Sequence, residues 1–121
     1  MQFMCLIHID ERVFDRMSVA ERDAMVNAAL DSDARLRASG AYAGSAALED
    51  VAAAKSVRVR KRKLSVTDGP FAETREQLGG FVMIEAADID AAVRIAATIP
   101  MATIGTIEVR PVRTLARIPA K

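Results

Sequence analysis

The sequence predicts an α+β sandwich in which two helices cover one face of an antiparallel sheet. Three observations carry this. The chain opens on a nearly continuous apolar run, Gln2 to Ile9. Two helical patterns begin at recognisable caps, Ser18 and Asp88. Short alternating segments, punctuated by Asp68-Gly69-Pro70 and Gly79-Gly80, fill the rest. The order is strand, helix, strand, hairpin, strand, helix, strand.

Composition narrows the classes first. At 121 residues and 51% hydrophobic content, the chain is long enough for one domain with a real core and too apolar for disorder. Seventeen basic and 16 acidic side chains leave a formal charge of +1. That is not the concentrated basic face that direct nucleic-acid binding requires. The single cysteine, Cys5, lies inside the first apolar run and has no partner for an internal disulfide. It is expected as a buried, reduced thiol in a cytoplasmic protein. The N-terminal run is too short to span a membrane and lacks a basic start or a small-residue cleavage site, so no membrane association is expected.

The elements follow in order. Phe3, Met4, Cys5, Leu6 and Ile7 do not alternate with polar residues, so both faces of the first strand are expected to be buried. The helices can cover one face. A second subunit is the economical cover for the other. Asp10 and Glu11 end the strand. Ser18-Val19-Ala20-Glu21 is a capping box, and the helix is expected from Val19 to Ser39, with Gly40 as its left-handed stop. Its inward stripe comprises Val26, Ala29, Leu30, Asp33 and Leu36. Tyr42 to Leu48 is a weak strand, and Val51 to Lys55 is a loop. Ser56 to Arg60 alternates, with Val57 and Val59 expected inward and Arg58 and Arg60 outward. Lys61 and Arg62 make a turn, and Lys63 to Thr67 returns. The five basic residues between Arg58 and Lys63 form a solvated hairpin face on ordinary base rates, or a phosphate or acidic-partner site. No aromatic residue is interleaved, which disfavours stacked single-stranded nucleic acid. Phe81 to Glu85 is a central strand. Asp88 caps the second helix, with Ile89, Ala92, Val93, Ala96 and Ala97 inward and Pro100 marking its end. Thr106 to Arg113 is the last strand, Ile107 and Val109 alternating with Glu108 and Arg110.

The stretch Thr67-Asp68-Gly69-Pro70-Phe71, Glu73-Thr74 and Glu76-Gln77-Leu78-Gly79-Gly80-Phe81 is the most distinctive in the chain. A long connection with its own turn and an apolar anchor, Phe71, is unusual in so small a protein, and such loops are often functional. It resembles the signature of the DGPF group within the YCII-related family. The resemblance extends upstream to Leu36-Arg37-Ala38-Ser39-Gly40 and downstream to Ile99-Pro100 and Gly105 through Glu108-Val109-Arg110-Pro111-Val112. It implies a small bacterial ferredoxin-like domain, βαββαβ with an added hairpin, usually dimeric in the manner of α/β barrels. It implies no settled activity. A histidine and an aspartate shared by many members suggest enzymes. Fusions of some members to sigma-factor-like regions suggest a transcription-related protein partner. Many relatives carry a histidine straight after the helix-ending glycine and a glutamate a few residues on. This chain has Ala41 and Ala46 there.

The candidate catalytic residues are Asp68, Asp33 and His8. His8 is the only histidine, so any imidazole acid/base step must use it. With no visible partner, a strand-end histidine at an interface accounts for it better. Asp68 is either a turn-former before Gly-Pro or a carboxylate at the mouth of a cleft. Asp33 is either a helix aspartate bonded to a neighbour or a buried base with a raised pKa facing a cleft between helix and sheet. The loop residues Thr67, Gly69, Pro70, Phe71 and Glu73, and Arg110, are candidate substrate contacts, Arg110 as a carboxylate clamp. For Glu108 and Arg110, two apart on one strand face, an ion pair is the preferred account. No metal site is expected, because Cys5 and His8, three apart on a strand, point to opposite faces. No Gly-x-Gly-x-x-Gly or phosphate loop is present, and no cofactor is expected. Gly79-Gly80 is expected as a hinge. The combined expectation is a homodimeric ferredoxin-like protein holding a small polar metabolite in a cleft lined by Asp33, His8 and the Asp68 loop, with acid/base chemistry of isomerase or lyase type. The alternative is a non-catalytic accessory module.

Overall fold

The computed structural model describes residues 1–120. It is a mixed α+β fold. A four-stranded antiparallel sheet is built from β1 (Gln2–Ile9), β2 (Tyr42–Ala47), β5 (Gln77–Glu85) and β6 (Thr106–Pro111), in the order β2-β5-β1-β6. Strands β3 (Lys55–Arg60) and β4 (Lys63–Asp68) form a separate two-stranded sheet. The helices are α1 (Glu11–Asp15), α2 (Val19–Ser39) and α3 (Ile89–Ala96). This strand order is consistent with the ferredoxin-like arrangement expected from the order of elements.

Strand alternation builds the core. Phe3 and Cys5 of β1 stand opposite Ile84 and Val82 of β5, and all four are buried. Leu36 of α2, Ala92 and Ala96 of α3, and Ile99 pack on the same side and complete the cluster. Both long helices therefore cover one sheet face. Fully buried side chains of this kind contribute roughly 1.5–3 kcal/mol each. The opposite face carries Met4, Leu6, Phe81 and Met83, none of them fully buried.

Local rules fix the helix ends. The Ser18 hydroxyl accepts from the Glu21 amide at 3.1 Å, and the Glu21 carboxylate accepts from the Ser18 amide at 3.0 Å. These bonds hold the Glu21 carboxyl below its ordinary range. Gly40, at φ 82, closes α2 in the left-handed region that glycine enters without a Cβ penalty. Asp88 caps α3 by accepting from the Ala91 amide at 2.8 Å.

Several expectations are corrected. β1 does end ahead of Asp10 and Glu11, but the chain then forms a short unexpected helix, α1, which Glu11 begins and Asp10 caps. The residues 51–55 are not a plain loop: Val51–Ala53 form a 3-10 turn. Val57 and Val59 do not point into a core. The hairpin stands off the main sheet, so Val57 is 62% and Leu64 69% exposed, and Val59 and Val66 are exposed beside them. Alternation holds in the hairpin, but among the described residues none covers its apolar face. Gly79-Gly80 is not a hinge but part of β5. A Cβ on Gly80 would lie 2.6 Å from the Ala46 carbonyl oxygen, so only glycine lets β2 pair closely here. On α3, Ala92 and Ala96 face inward as expected, joined by Ile95, whereas Ile89 and Val93 face outward and Ala97, just past the helix, is exposed.

Two outcomes follow. Burial raises the Cys5 thiol to about 11. Native protein at pH 8 should therefore react with Ellman's reagent only as fast as it unfolds, and rapid labelling would contradict the burial. Ser18→Ala should destabilise the fold by about 1 kcal/mol in urea titrations, the usual cost of losing an N-cap.

Candidate functional site

A cleft of about 410 Å³ opens between α2 and the sheet. That volume lies within the range of small-molecule sites. Ile7 and Ile9 of β1 and Gly80 and Val82 of β5 form its floor. Met25, Ala29 and Leu30 of α2 form a wall, and Phe14 of α1 closes one side. The cleft exists because α2 is buried only at Ser32 and Leu36, towards its C-terminal end. Val26 and Leu30, placed on the inward stripe by their spacing, line the cleft instead and remain more than half exposed.

Asp33 lies in this lining and is half-buried. Its Oδ2 accepts from the Ser45 hydroxyl at 2.8 Å, and Ser45 Oγ lies 2.7 Å from the Tyr42 hydroxyl. A three-residue separation in a regular strand would put Tyr42 and Ser45 on opposite faces. The register shift between Tyr42 and Gly44, with Gly44 at φ 145, returns both to the helix side. The Arg37 guanidinium lies 4.2 Å from the Tyr42 ring centroid, within cation–π range. A continuous hydrogen-bonded row, Tyr42–Ser45–Asp33, thus reaches the cleft wall. Ser45 and Tyr42 escape sequence reasoning because the bulge that aligns them is signalled only by Gly44. Ser32, also missed, is buried beside Asp33 where a serine ordinarily faces solvent.

His8 lies on the other side of the sheet. Its neighbour in β6 is Thr106, and Glu108 faces the same way. His8 Nε2 lies 3.2 Å from Glu108 Oε1, and Arg110 Nε donates to Glu108 Oε2 at 2.7 Å. Arg110 first and His8 second hold the Glu108 carboxyl below its ordinary range. Arg110 is thus engaged by Glu108 rather than free in a cleft. Cys5 and His8 do point to opposite faces, and no group of three or more His, Cys, Asp or Glu side chains placed to hold a metal ion occurs among the described residues.

The Asp68 loop lies outside the cleft lining. Asp68 ends β4 opposite Lys55, and the two side chains form an exposed ion pair. Thr67 pairs with Ser56 across the hairpin. Gly69, at φ 94, donates its amide to the Ala54 carbonyl at 2.8 Å, and its own carbonyl accepts from the Ser56 hydroxyl at 2.8 Å. Pro70 is half-buried and Glu73 exposed. Phe71, expected as the loop's anchor, is 86% exposed and not packed into the loop. Gln77 steadies the loop by donating to the Ala72 carbonyl at 2.9 Å. The structure therefore brings Asp33 to a cleft with Ser45 and Tyr42, places His8 with Glu108 and Arg110 behind the sheet, and leaves Asp68 at the root of the hairpin.

No helix among the described residues is long and apolar enough to cross a membrane. Comparison with known proteins finds an uncharacterized protein of Rhizobium meliloti (strain 1021) that is 36% identical over 104 residues, covering 84% of this chain and 74% of the relative. The model of the YCII-related domain matches residues 1–116, and with nearly the whole chain inside that match, this protein belongs to the YCII-related family.

Proposed function

We propose that this protein binds a small organic molecule in the cleft between α2 and the sheet. One observation carries the reading: an apolar cleft of about 410 Å³ is lined by a half-buried carboxylate, Asp33, held in place by Ser45. Apolar walls with a few oriented polar groups are the common form of a small-molecule site. If the bound molecule reacts, Asp33 is the group placed to take or give a proton, with Ser45 and Tyr42 as its relay. His8 and Asp68 take no part in that step within one chain. Isomerase- or lyase-type proton transfer fits a single oriented carboxylate.

The chain works in this reading as a cytoplasmic homodimer joined through the sheet face that the helices leave open, as in α/β barrels. Met4, Leu6, Phe81 and Met83 support that choice, since they form an apolar patch in the middle of this face. The His8–Glu108–Arg110 cluster borders the patch and would supply the polar rim of the interface.

A second reading, an accessory module that binds a transcription-related protein, is favoured by the hairpin. Its turn residues Lys61 and Arg62 both hold positive φ, 50° and 62°, where Asn-Gly would be relaxed. Strain of this kind persists where side chains are retained for another use. Here it keeps basic groups at the tip of an exposed apolar ladder.

A thermal-shift screen against a small-metabolite library separates the readings. Bound ligand stabilises by about 2.7 kcal/mol at a hundredfold excess over the dissociation constant. Hits should disappear in the cleft-filling variant Ala29→Phe and survive in Asp68→Ala. Hits unaffected by Ala29→Phe, or an empty screen, would move the search to the hairpin. Light scattering at micromolar concentration should give twice the chain mass, and a monomer would reject the sheet-face dimer.

A further inference from the structure

We infer that the ligand of this cleft is an organic cation, an amine on an apolar body, an inference that rests on the reading of the cleft as a small-molecule site. Every charged side chain in the lining is a carboxylate: Glu11, Asp15, Asp33, Glu49 and Asp50. The chain as a whole is balanced, with 17 basic and 16 acidic residues, so this sorting is local. None of the five joins an ion pair among the described residues, whereas Asp10, Asp68, Glu85 and Glu108 all do. The hydrogen bonds they accept come from uncharged groups. Glu11 accepts from the Val51 amide at 3.0 Å, and Asp33 accepts from the Ser45 hydroxyl at 2.8 Å. A cleft lined by one sign of charge over low-dielectric walls concentrates its field, draws in the opposite charge and repels its own.

Ser32 points the same way independently. It is 4% exposed, lines the cleft beside Asp33, and its hydroxyl makes no side-chain hydrogen bond among the described residues. No buried side-chain nitrogen or oxygen among the described residues lacks a hydrogen-bond partner, so this hydroxyl is not sealed in the core but opens on the cleft, where a ligand can bond it. Asp33 also keeps Oδ1 free of protein hydrogen bonds, since Ser45 uses Oδ2. An ammonium group has several N–H donors to satisfy, and a carboxylate oxygen next to a hydroxyl accepts two of them. A metal ion fits the same residues poorly. The carboxylates do not converge within reach of one ion among the described residues, and the floor of Ile7 and Ile9 offers no oxygen ligands. The charge must arrive on a body that suits an apolar floor.

Three probes of one shape test this on the full-length protein: 4-phenylbutylammonium, 4-phenylbutanol and 4-phenylbutyrate, titrated at pH 7.5 and followed by amide NMR shifts. The ammonium should bind tightest, by about tenfold over the alcohol, the factor that 1.4 kcal/mol represents. The shifted amides should include Ser32, Asp33 and Ser45. The carboxylate should bind weakest. Asp33→Asn should bring the ammonium's affinity down to the alcohol's. The double variant Glu49→Gln/Asp50→Asn, confined to the exposed rim, should weaken the ammonium severalfold and serves if Asp33→Asn does not fold. Binding of alcohol or carboxylate as tight as the ammonium would overturn the cationic class and leave the cleft as a small-molecule site. Absence of cleft shifts with all three probes would overturn the site itself.

Discussion

The contact between Leu36 and the sheet governs the rest of the molecule. Leu36 joins Phe3, Cys5, Ile84, Ala92 and Ile99 in the buried cluster, and it is the only apolar residue of α2 to be buried. Gly40 turns the chain immediately afterwards and delivers Tyr42 into β2. A 21-residue helix is thereby fixed near its C-terminal end. Its earlier turns, from Met25 to Leu30, stand beside the sheet without a full complement of core partners. A helix of this length, at 1.5 Å per residue, spans roughly 30 Å, longer than β1, β2 and β6 and about as long as β5. The cleft is the consequence of that geometry, and Ser32 and Asp33 occupy the turn where the packed and open parts of the helix meet.

Much of this was legible in the sequence, for physical reasons that vary from residue to residue. The capping box at Ser18 and the glycine stop at Gly40 are local: their hydrogen bonds lie within three residues, so sequence alone determines them. The apolar run of β1 is met on one side only: Phe3 and Cys5 are buried under the helices, whereas Met4 and Leu6 on the other face are half-buried, so the expected burial of both faces is not reached within one chain. The hairpin failed differently. Its alternation holds, but period gives sidedness and not what lies behind a side, so the pattern alone points Val57 and Val59 towards a core that the described residues do not supply. The short helix α1 escaped because Asp10 ends a strand and caps a helix with the same carboxylate. Asp33 was visible as a misfit on an apolar stripe. Its partners Ser45 and Tyr42 were not, because a bulge in a distant strand decides where they face.

Alternation also explains why the acid/base candidates do not assemble. Successive residues of β1 point to opposite sides, so Ile7 and Ile9 floor the cleft while His8 meets Glu108 behind the sheet. A backbone layer separates His8 from Asp33. Joining them into one site would require a register slip in β1, which would turn Phe3 and Cys5 out of the core. The same reasoning holds for Arg110, whose strand neighbours Val109 and Pro111 face the helices. The two polar clusters are therefore separate features on opposite sides of the sheet. The one behind the sheet is already balanced in charge, with Glu108 between a histidine and an arginine.

The cleft is not balanced, and that contrast carries the synthesis one step further. Where this chain places carboxylates on the exposed side of its sheet or hairpin, it supplies a cation, Lys55 for Asp68 and Arg110 for Glu108, and the α1 cap Asp10 likewise pairs with Arg12. Exposed pairs of this kind add little stability, so their arrangement reflects local neighbours more than a requirement of folding. Around the cleft the chain has carboxylates from α1, from α2 and from the segment after β2, three parts far apart in sequence, and no cation among them. Repulsion among like charges weakens the fold slightly unless something of opposite charge enters. Five of the 17 basic residues lie together at the hairpin, from Arg58 to Lys63, in the separate two-stranded sheet. An almost neutral chain thus carries both an acidic concavity and a basic projection. The concavity has the volume and apolar floor of a binding site, and the projection has neither.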